Sequence, residues 1–200
     1  MPRKQRLWYK GAKYHVTTRG NRQSNIFMDV DDYLMYLYTI KQAKMKYNFY
    51  LHAYCLMSNH THLQIETTDT DISKIMHYIN TKYAVYINRK YKWSGHLFQG
   101  RFGEKLIMDL VYEIEVSKYI HLNPVRAKLV TKPEEYPWSS YRTYHYNRKD
   151  DPIITTGHIL KYFTDHPSGS YANYIQTPNT RIHFTPNRKV EFSILKNKEN

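Results

Sequence analysis

The apolar positions of this 200-residue chain change their period from one stretch to the next. Residues 13–18, KYHVTT, close on the turn-forming Arg19-Gly20-Asn21 and predict a short strand. From about 31 to 47, Tyr33, Leu34, Leu37, Ile40 and Met45 are among the apolar residues of a predicted helix. Asp29 to Asp32 precede it and suit the positive end of a helix dipole. Residues 49–57, FYLHAYCLM, form a nearly unbroken apolar run that fits a buried strand, and Ser58-Asn59 is a turn candidate. Residues 60–66, HTHLQIE, alternate: His60, His62, Gln64 and Glu66 share one face, Thr61, Leu63 and Ile65 the other. Asp71 reads as the cap of a helix over about 72–90, with Ile72, Ile75, Ile79, Val85 and Tyr86 as core candidates. Gly95, Gly100 and Gly103 break the next stretch into loop, and a short strand is expected at 104–108. A third helix, about 109–122, is expected to stop at Asn123-Pro124, because proline disfavours helix in the residue before it. The order β-α-β-β-α-β plus one more helix is that of an α+β, ferredoxin-like sandwich, with a central antiparallel sheet and helices on one face. Beyond Tyr141 the pattern weakens, and the polar, charged residues 177–200 are expected to be a mobile tail.

Composition narrows what such a fold does. Lys and Arg number 30 against 17 Asp and Glu, a formal charge of +13, and there are 21 Tyr, 7 Phe and 3 Trp. No run approaches the roughly 18 apolar residues that span a bilayer. The opening MPRKQRLWYKGAKYHV lacks the apolar segment of a secretory signal. One cysteine, Cys55, permits neither an internal disulfide nor a cysteine-based zinc cage and fits a reducing cytoplasm. The charge is laid out in two stretches. Arg3, Lys4, Arg6, Lys10, Lys13, Arg19 and Arg22 come first with no acid among them; Lys82, Arg89, Lys90, Lys92, Arg101 and Lys105 follow, with Glu104 the one acid. Trp8 and Tyr9 interleave with the first; Tyr83, Tyr86, Tyr91, Trp93 and Phe98 interleave with the second. Cations neutralise phosphates and flat rings stack on unpaired bases, so nucleic acid is the expected partner. A solvated basic face over an aromatic core is the plainer alternative.

Candidate chemistry begins with His60 and His62, whose imidazoles point the same way from one strand and can share a divalent cation. A metal on a phosphodiester oxygen withdraws charge and fixes the phosphorus for in-line attack. Histidine pairs also suit Zn, Cu or Ni, and the same spacing is met by two surface histidines on a half-buried strand. In the third helix Tyr112, Val116, Tyr119 and Asn123 recur at i, i+4, i+7 and i+11 and so share a stripe. Tyr119 is thus a candidate nucleophile, with the Asn123 amide one turn away as a third ligand. An ordinary phenol, with a pKa near 10, needs a nearby cation or base for this. Core packing for Tyr119 and helix termination for Asn123 are the alternatives.

The chain resembles the single-tyrosine HUH transposases, in particular the REP-associated tyrosine transposase group of insertion-sequence transposases. The resemblance rests on GAKYHVTTRGNRQSNIF (11–27), LHAYCLMSNHTHLQIE (51–66), GHLFQGRFGEKLI (95–107), YIHLNPVRAKLV (119–130) and PEEYPWSSY (133–141), in the group's order. It implies that His60 and His62 bind the metal, that Asn123 is the third ligand, that Tyr119 is the nucleophile and that the metal is Mg or Mn. It further implies a catalytic domain over 1–145, its catalytic helix after the last core strand, and a C-terminal extension over 146–200, partly helical and then flexible. The implied activity is cleavage and rejoining of single-stranded DNA near hairpins through a 5′-phosphotyrosine link with a free 3′-hydroxyl. The implied setting is cytoplasmic and nucleoid-associated, with no membrane partner, as a monomer or homodimer.

Within the matching stretches Arg19, Asn21, Arg22, Gln99, Arg101 and Arg126 are candidate DNA contacts, although solvent-facing loops place such residues equally well. Gln64 and Glu66 share the histidine face and either support the metal or simply face outward. His121 lies on a different side of the helix from Tyr119 and receives no role; Cys55 reads as a small buried residue. The chief rival is a relative that grips hairpin DNA without cutting it. Replication initiators and relaxases use a second tyrosine or a third histidine, whereas Glu115 and Asn123 stand four residues either side of Tyr119. An unrelated metal-dependent hydrolase is opposed by the charge. Because the expected contacts are phosphate contacts, affinity for single-stranded DNA is expected to fall steeply and log-linearly with salt concentration, as measured by fluorescence anisotropy.

Overall fold

Strands β1 (Lys13–Arg19), β2 (Tyr50–Met57), β3 (His60–Glu66) and β4 (Gly103–Ile107) form one antiparallel sheet in the order β2-β3-β1-β4. The structure is a computed structural model describing residues 6–148, 151–163, 166–178, 180–185 and 187–194. Helices α1 (Val30–Tyr47) and α2 (Ile72–Tyr91) follow β1 and β3, and α3 (Leu110–Arg126) follows β4. This is the order and connectivity of the ferredoxin-like sandwich expected from the sequence.

Alternation along the strands sorts the two faces. Tyr14 and Val16, Leu63 and Ile65, and Leu51, Tyr54 and Leu56 enter the main core with Ile40, Ile75, Ile79 and Tyr83 of α1 and α2. Ala53, Cys55, Met57 and Ile107 point the other way and pack with Val116 and Ile120 of α3 and with Tyr136. Both faces of β2 are buried, which is why its sequence reads as a continuous apolar run, and a register shift between Leu51 and Ala53 puts Leu51 on the same face as Tyr54 and Leu56. Helices α1 and α2 therefore cover one face, while α3 lies against the opposite one.

Local signals behave as their chemistry requires. Asp29 caps α1, accepting from the Asp32 amide at 3.1 Å, and Asp71 caps α2, accepting from Ser73 at 2.7 Å and Lys74 at 3.2 Å. Lys90 of α2 reaches Asp29 at 2.7 Å and buried Asp32 at 2.8 Å, tying the two helices together. In α2 the buried set Ile72, Ile75, Met76, Ile79, Tyr83 and Ile87 makes one stripe. Val85 falls off that stripe and is 62 % exposed, so it is not a core residue. Leu34 and Met45 are likewise exposed on α1.

Two expectations are overturned. Helix α3 does not stop at Asn123-Pro124 but runs to Arg126 with Pro124 inside it. Proline only disfavours helix in the preceding residue, and here Pro124 is buried. The turn is held by Ala127 N–H donating to Asn123 O (2.9 Å) and Leu129 N–H to Pro124 O (3.0 Å). The residues from 177 onward are not a mobile tail over their described length. Strands β5 (Thr180–Phe184) and β6 (Val190–Ile194) form an antiparallel hairpin after α4 (Tyr141–His145), α5 (Gly157–Leu160) and α6 (Pro167–Gln176). Ile182 and Val190 turn inward to join the core, with Phe184 and Phe192 packed against it; the polar and charged residues between them made the segment read as a tail. Residues 195–200, and Arg3 and Lys4 of the first basic stretch, lie outside the described residues.

The extension is pinned to α3. Lys118 Nζ donates to the carbonyls of Tyr174 and Thr177, each at 2.6 Å, and to Thr180 Oγ1 at 3.0 Å. His121, unassigned from sequence, is fully buried with its ring nitrogens 2.7 Å from Tyr171 Oη and 2.8 Å from Ser140 Oγ. Burial pushes its pKa down to about 3, so it serves the core as a neutral hydrogen-bonding group.

Gly20 ends β1 and brings the 95–101 loop beside it. Its N–H donates to Asn59 O at 2.8 Å, and Asn21 N–H and Gln99 N–H bond Leu97 O and Arg19 O. A Cβ on Gly20 would stand 2.1 Å from the Ser24 carbonyl oxygen. Gly20→Ala is therefore expected to destabilise the protein by about 1–3 kcal/mol, read from the urea unfolding midpoint at unchanged m-value.

Candidate active site

The α3-facing side of the sheet carries the site. Antiparallel pairing sets Thr17 opposite His62 and Arg19 opposite His60, so the polar alternates of β1 and β3 form one patch. Helix α3 crosses that patch and holds Tyr119, 39 % exposed, at its margin, because Val116 and Ile120 on either side are buried against the sheet. The ring centroids of His62 and Tyr119 are 5.4 Å apart at 88°, and those of His60 and His62 are 5.0 Å apart at 90°. The Asn123 side chain lies beside His60, and its Nδ2 donates to Tyr119 O at 3.3 Å. The two histidines, the tyrosine and the asparagine singled out from the sequence are thus brought together.

One further group completes the cluster. His15 of β1 places its Nε2 2.9 Å from His62 Nδ1 and its ring centroid 5.6 Å from that of Tyr119. Sequence alternation puts His15 on the same β1 face as Thr17 and Arg19. Which residues that face meets depends on the β1–β3 register, so nothing local singled it out. His60 Nδ1 is likewise engaged, 2.7 Å from Asn59 Oδ1. With each Nδ1 occupied, the Nε2 atoms of His60 and His62 remain to bind a metal, oriented by partners outside the metal's own ligand set.

Electrostatics favour the ligating form of these rings. Burial, then the neighbouring His15, His60 and Arg19, pushes His62 down to about 3. Burial and Lys105 push His15 down to about 4. Burial and Arg19 lower His60, against the opposing effect of the neighbouring Asn123 side chain. Neutral imidazoles are what a cation requires, and two of them with an amide oxygen fit a divalent metal.

The cluster opens into a cleft of about 500 Å³ lined also by Arg19, Gln99 and Arg101. A second cleft, about 520 Å³, meets it at His15 and Tyr119 and is walled by Tyr112, Lys118, Arg126, Tyr174 and Thr180. The Arg126 guanidinium stands 5.1 Å from the Tyr119 ring centroid. Arg19, Gln99, Arg101 and Arg126 therefore gather around the tyrosine. Asn21 and Arg22 do not: they line a separate pocket of about 230 Å³ with Trp93 and His96, because the chain turns away at Asn21–Gln23. Gln64 is buried and donates to Glu113 O at 3.1 Å, and Glu66 sits at the far end of β3 beside His52. Neither belongs to the histidine pair's surroundings. Several cations of the basic stretches are already paired: Arg6 with Glu104, Lys10 with Asp69, Lys13 with Glu113, and Lys90 with Asp29 and Asp32.

Neutral imidazoles, a half-exposed phenol and guanidinium groups around one cleft make a site suited to an anionic phosphodiester. Residues 9–123 match the family described as transposase IS200 like, and the chain belongs to that family. Over 113 residues it is 29 % identical to a Haemophilus influenzae protein described as a REP-associated tyrosine transposase. That match takes in 50 % of this chain and 64 % of the relative's length, so the chain spans a little under two thirds of it. The solved structure of a REP-associated tyrosine transposase bound to a REP hairpin superposes with a TM-score of 0.63 at 23 % identity. It covers 78 % of this chain and 91 % of that one, and it establishes the shared fold.

Because His15 holds His62 by its Nδ1, His15→Ala is expected to weaken Mn²⁺ binding about 10- to 100-fold while leaving the unfolding midpoint close to that of the unsubstituted protein. Titration followed by electron paramagnetic resonance measures this.

Proposed function

We propose that this chain is a DNA transposase that cleaves and rejoins single-stranded DNA beside a hairpin, with Tyr119 as nucleophile. The observation that carries the reading is the placement of the Tyr119 phenol edge-on to His62, 5.4 Å between centroids, in a cleft flanked by Arg19 and Arg101. Guanidinium groups there pair with phosphates, and Gln99 offers a donor and an acceptor to the strand. His60, His62 and Asn123 would hold Mg or Mn. Such an ion, when bound, withdraws charge from a non-bridging phosphate oxygen. Mg is the hard, abundant choice for phosphate oxygens.

Tyr119 Oη then attacks the phosphorus in line. The Tyr–O–P bond forms, the bond from phosphorus to the 3′ oxygen breaks, and that oxygen takes up a proton to leave as a 3′-hydroxyl. Arg126 sets a positive charge beside the phenol that loses its proton. The 5′-phosphoryl group stays on Tyr119 until another 3′-hydroxyl attacks it and releases the phenol. One phosphodiester is exchanged for another, so no nucleotide cofactor is consumed. His60, His62 and Tyr119 of a single chain share the cleft, which supports cleavage within a monomer. The expected setting is the cytoplasm, on nucleoid DNA; among the described residues no helix is long and apolar enough to cross a membrane.

The test uses labelled hairpins from the gene's own genomic flanks with Mg²⁺ or Mn²⁺. A protein–DNA adduct that survives denaturing electrophoresis is expected, and Tyr119→Phe is expected to abolish it. His60→Ala and EDTA are expected to remove the adduct while retaining most hairpin binding. No adduct on any flanking hairpin would favour the non-cutting hairpin binder instead, and an undiminished adduct with Tyr119→Phe would end the assignment of the nucleophile.

A further inference from the structure

We propose that His52, Glu66 and His158 form a second divalent-metal site, of the zinc type, which clips α5 to the β2–β3 edge of the sheet. His52 stands on β2, Glu66 ends β3 and His158 lies in α5. One ligand atom from each falls within 4.8 Å of the others. His52 Nε2 is 2.9 Å from Glu66 Oε2, His158 Nδ1 is 4.0 Å from the same oxygen, and the two imidazole centroids are 4.6 Å apart.

Hydrogen bonding around His52 suits a metal-ligating imidazole. His52 Nδ1 faces the Thr155 carbonyl oxygen at 3.3 Å. A carbonyl only accepts, so the tautomer with its proton on Nδ1 serves this contact. Nε2 then directs a lone pair at a carboxylate that also only accepts. In that tautomer two lone pairs meet at 2.9 Å, an arrangement that a metal ion between them satisfies.

His158 repeats the arrangement. Its Nε2 lies 2.9 Å from Glu113 Oε1, a buried oxygen without a hydrogen-bond partner. Lys13 Nζ stands 2.6 Å from that Nε2 and 2.9 Å from Glu113 Oε2. While Lys13 donates to Nε2, Oε1 stays unpartnered. A metal on Nδ1 would displace Lys161 Nζ, 3.5 Å away, and would favour the tautomer whose Nε2–H faces Glu113 Oε1, with Lys13 held on Glu113 Oε2. Both histidines then hold their second nitrogen on a backbone carbonyl or a carboxylate, the usual second contact of a metal-ligating histidine.

Two imidazole nitrogens and a carboxylate oxygen are a zinc-type donor set, with water as the fourth ligand. Tetrahedral ligands about 2.1 Å from zinc stand about 3.4 Å apart, between the two distances to Glu66 seen here, so a small rotation of His158 closes the site. Glu66 and Glu113 face Lys13 and also Lys161, whose Nζ stands 3.5 Å from His158 Nδ1, so the bound ion takes the place of the Lys161 ammonium at that nitrogen. His158 keeps 21 % of its side chain exposed, which gives the ion a way in.

The test uses the full chain carrying His60→Ala and His62→Ala, so that tight metal binding reports on this cluster alone. Competition with a chromophoric zinc chelator is expected to show one equivalent of Zn²⁺. Co²⁺ in its place is expected to give the intense visible bands of a tetrahedral ion. Zn²⁺ is also expected to slow amide exchange over 155–163. Adding His158→Ala, or the near-isosteric Glu66→Gln, is expected to abolish all three signals. No equivalent held by the double variant, or one that survives both further substitutions, overturns the proposal. Glu66→Gln in the otherwise unsubstituted chain is expected to leave adduct formation with hairpin DNA unchanged, so failure here is distinct from failure of the transposase reading.

Discussion

The antiparallel register of β1 against β3 is the constraint on which the site depends. Side chains alternate along a strand, so a slip of one residue would turn His60 and His62 into the main core and Leu63 and Ile65 out of it. Burial of Leu63, Ile65, Tyr14 and Val16 beneath α1 and α2 forbids that slip. The same apolar contacts therefore hold His15, Arg19, His60 and His62 on the opposite face, where α3 lies. The geometry of the candidate site is secured by groups that never touch it.

Helix α3 divides its labour residue by residue. Ser117 and His121 point into the core shared with Tyr171, Lys118 binds the C-terminal extension, Ile120 seals the helix to the sheet, and Tyr119 is left at the cleft. Such a helix cannot roll without breaking buried hydrogen bonds on one side or apolar packing on the other, and an unmade buried hydrogen bond costs about 1–3 kcal/mol. Its rigidity is what turns one tyrosine among 21 into a candidate nucleophile. Tyr36, Tyr83, Tyr141, Tyr144 and Tyr171, by contrast, fill the core.

Charge is allocated in a similar way. The net +13 reads as a uniform basic coat, but Arg6, Lys13 and Lys90 tie elements of the fold together through acids elsewhere in the chain. Arg19, Arg101 and Arg126 instead converge on Tyr119. Placement within the fold, more than the total, directs the field at a phosphodiester strand.

Local chemistry was legible in the sequence because it acts over a few residues. The caps Asp29 and Asp71, the alternation of 60–66, the buried stripe of α2 and the shared stripe of Tyr119 and Asn123 each follow from backbone periodicity and neighbouring groups. The order of those elements carried the sandwich, and the quoted motifs carried the family. What stayed hidden depends on contacts between distant residues. His15 meets His62 only through strand register, and His121 finds Tyr171 only once α6 packs on α3. Pro124 remains helical because its ring is buried, and the hairpin after residue 180 persists because Ile182 and Val190 find a core to join. Asn21 and Arg22, adjacent in sequence to Arg19, leave the cleft because the chain turns after Gly20. Periodicity decided which side chains face together along one element; tertiary packing decided which elements those faces meet, because burial energy is gained only between surfaces that the chain has already brought into contact.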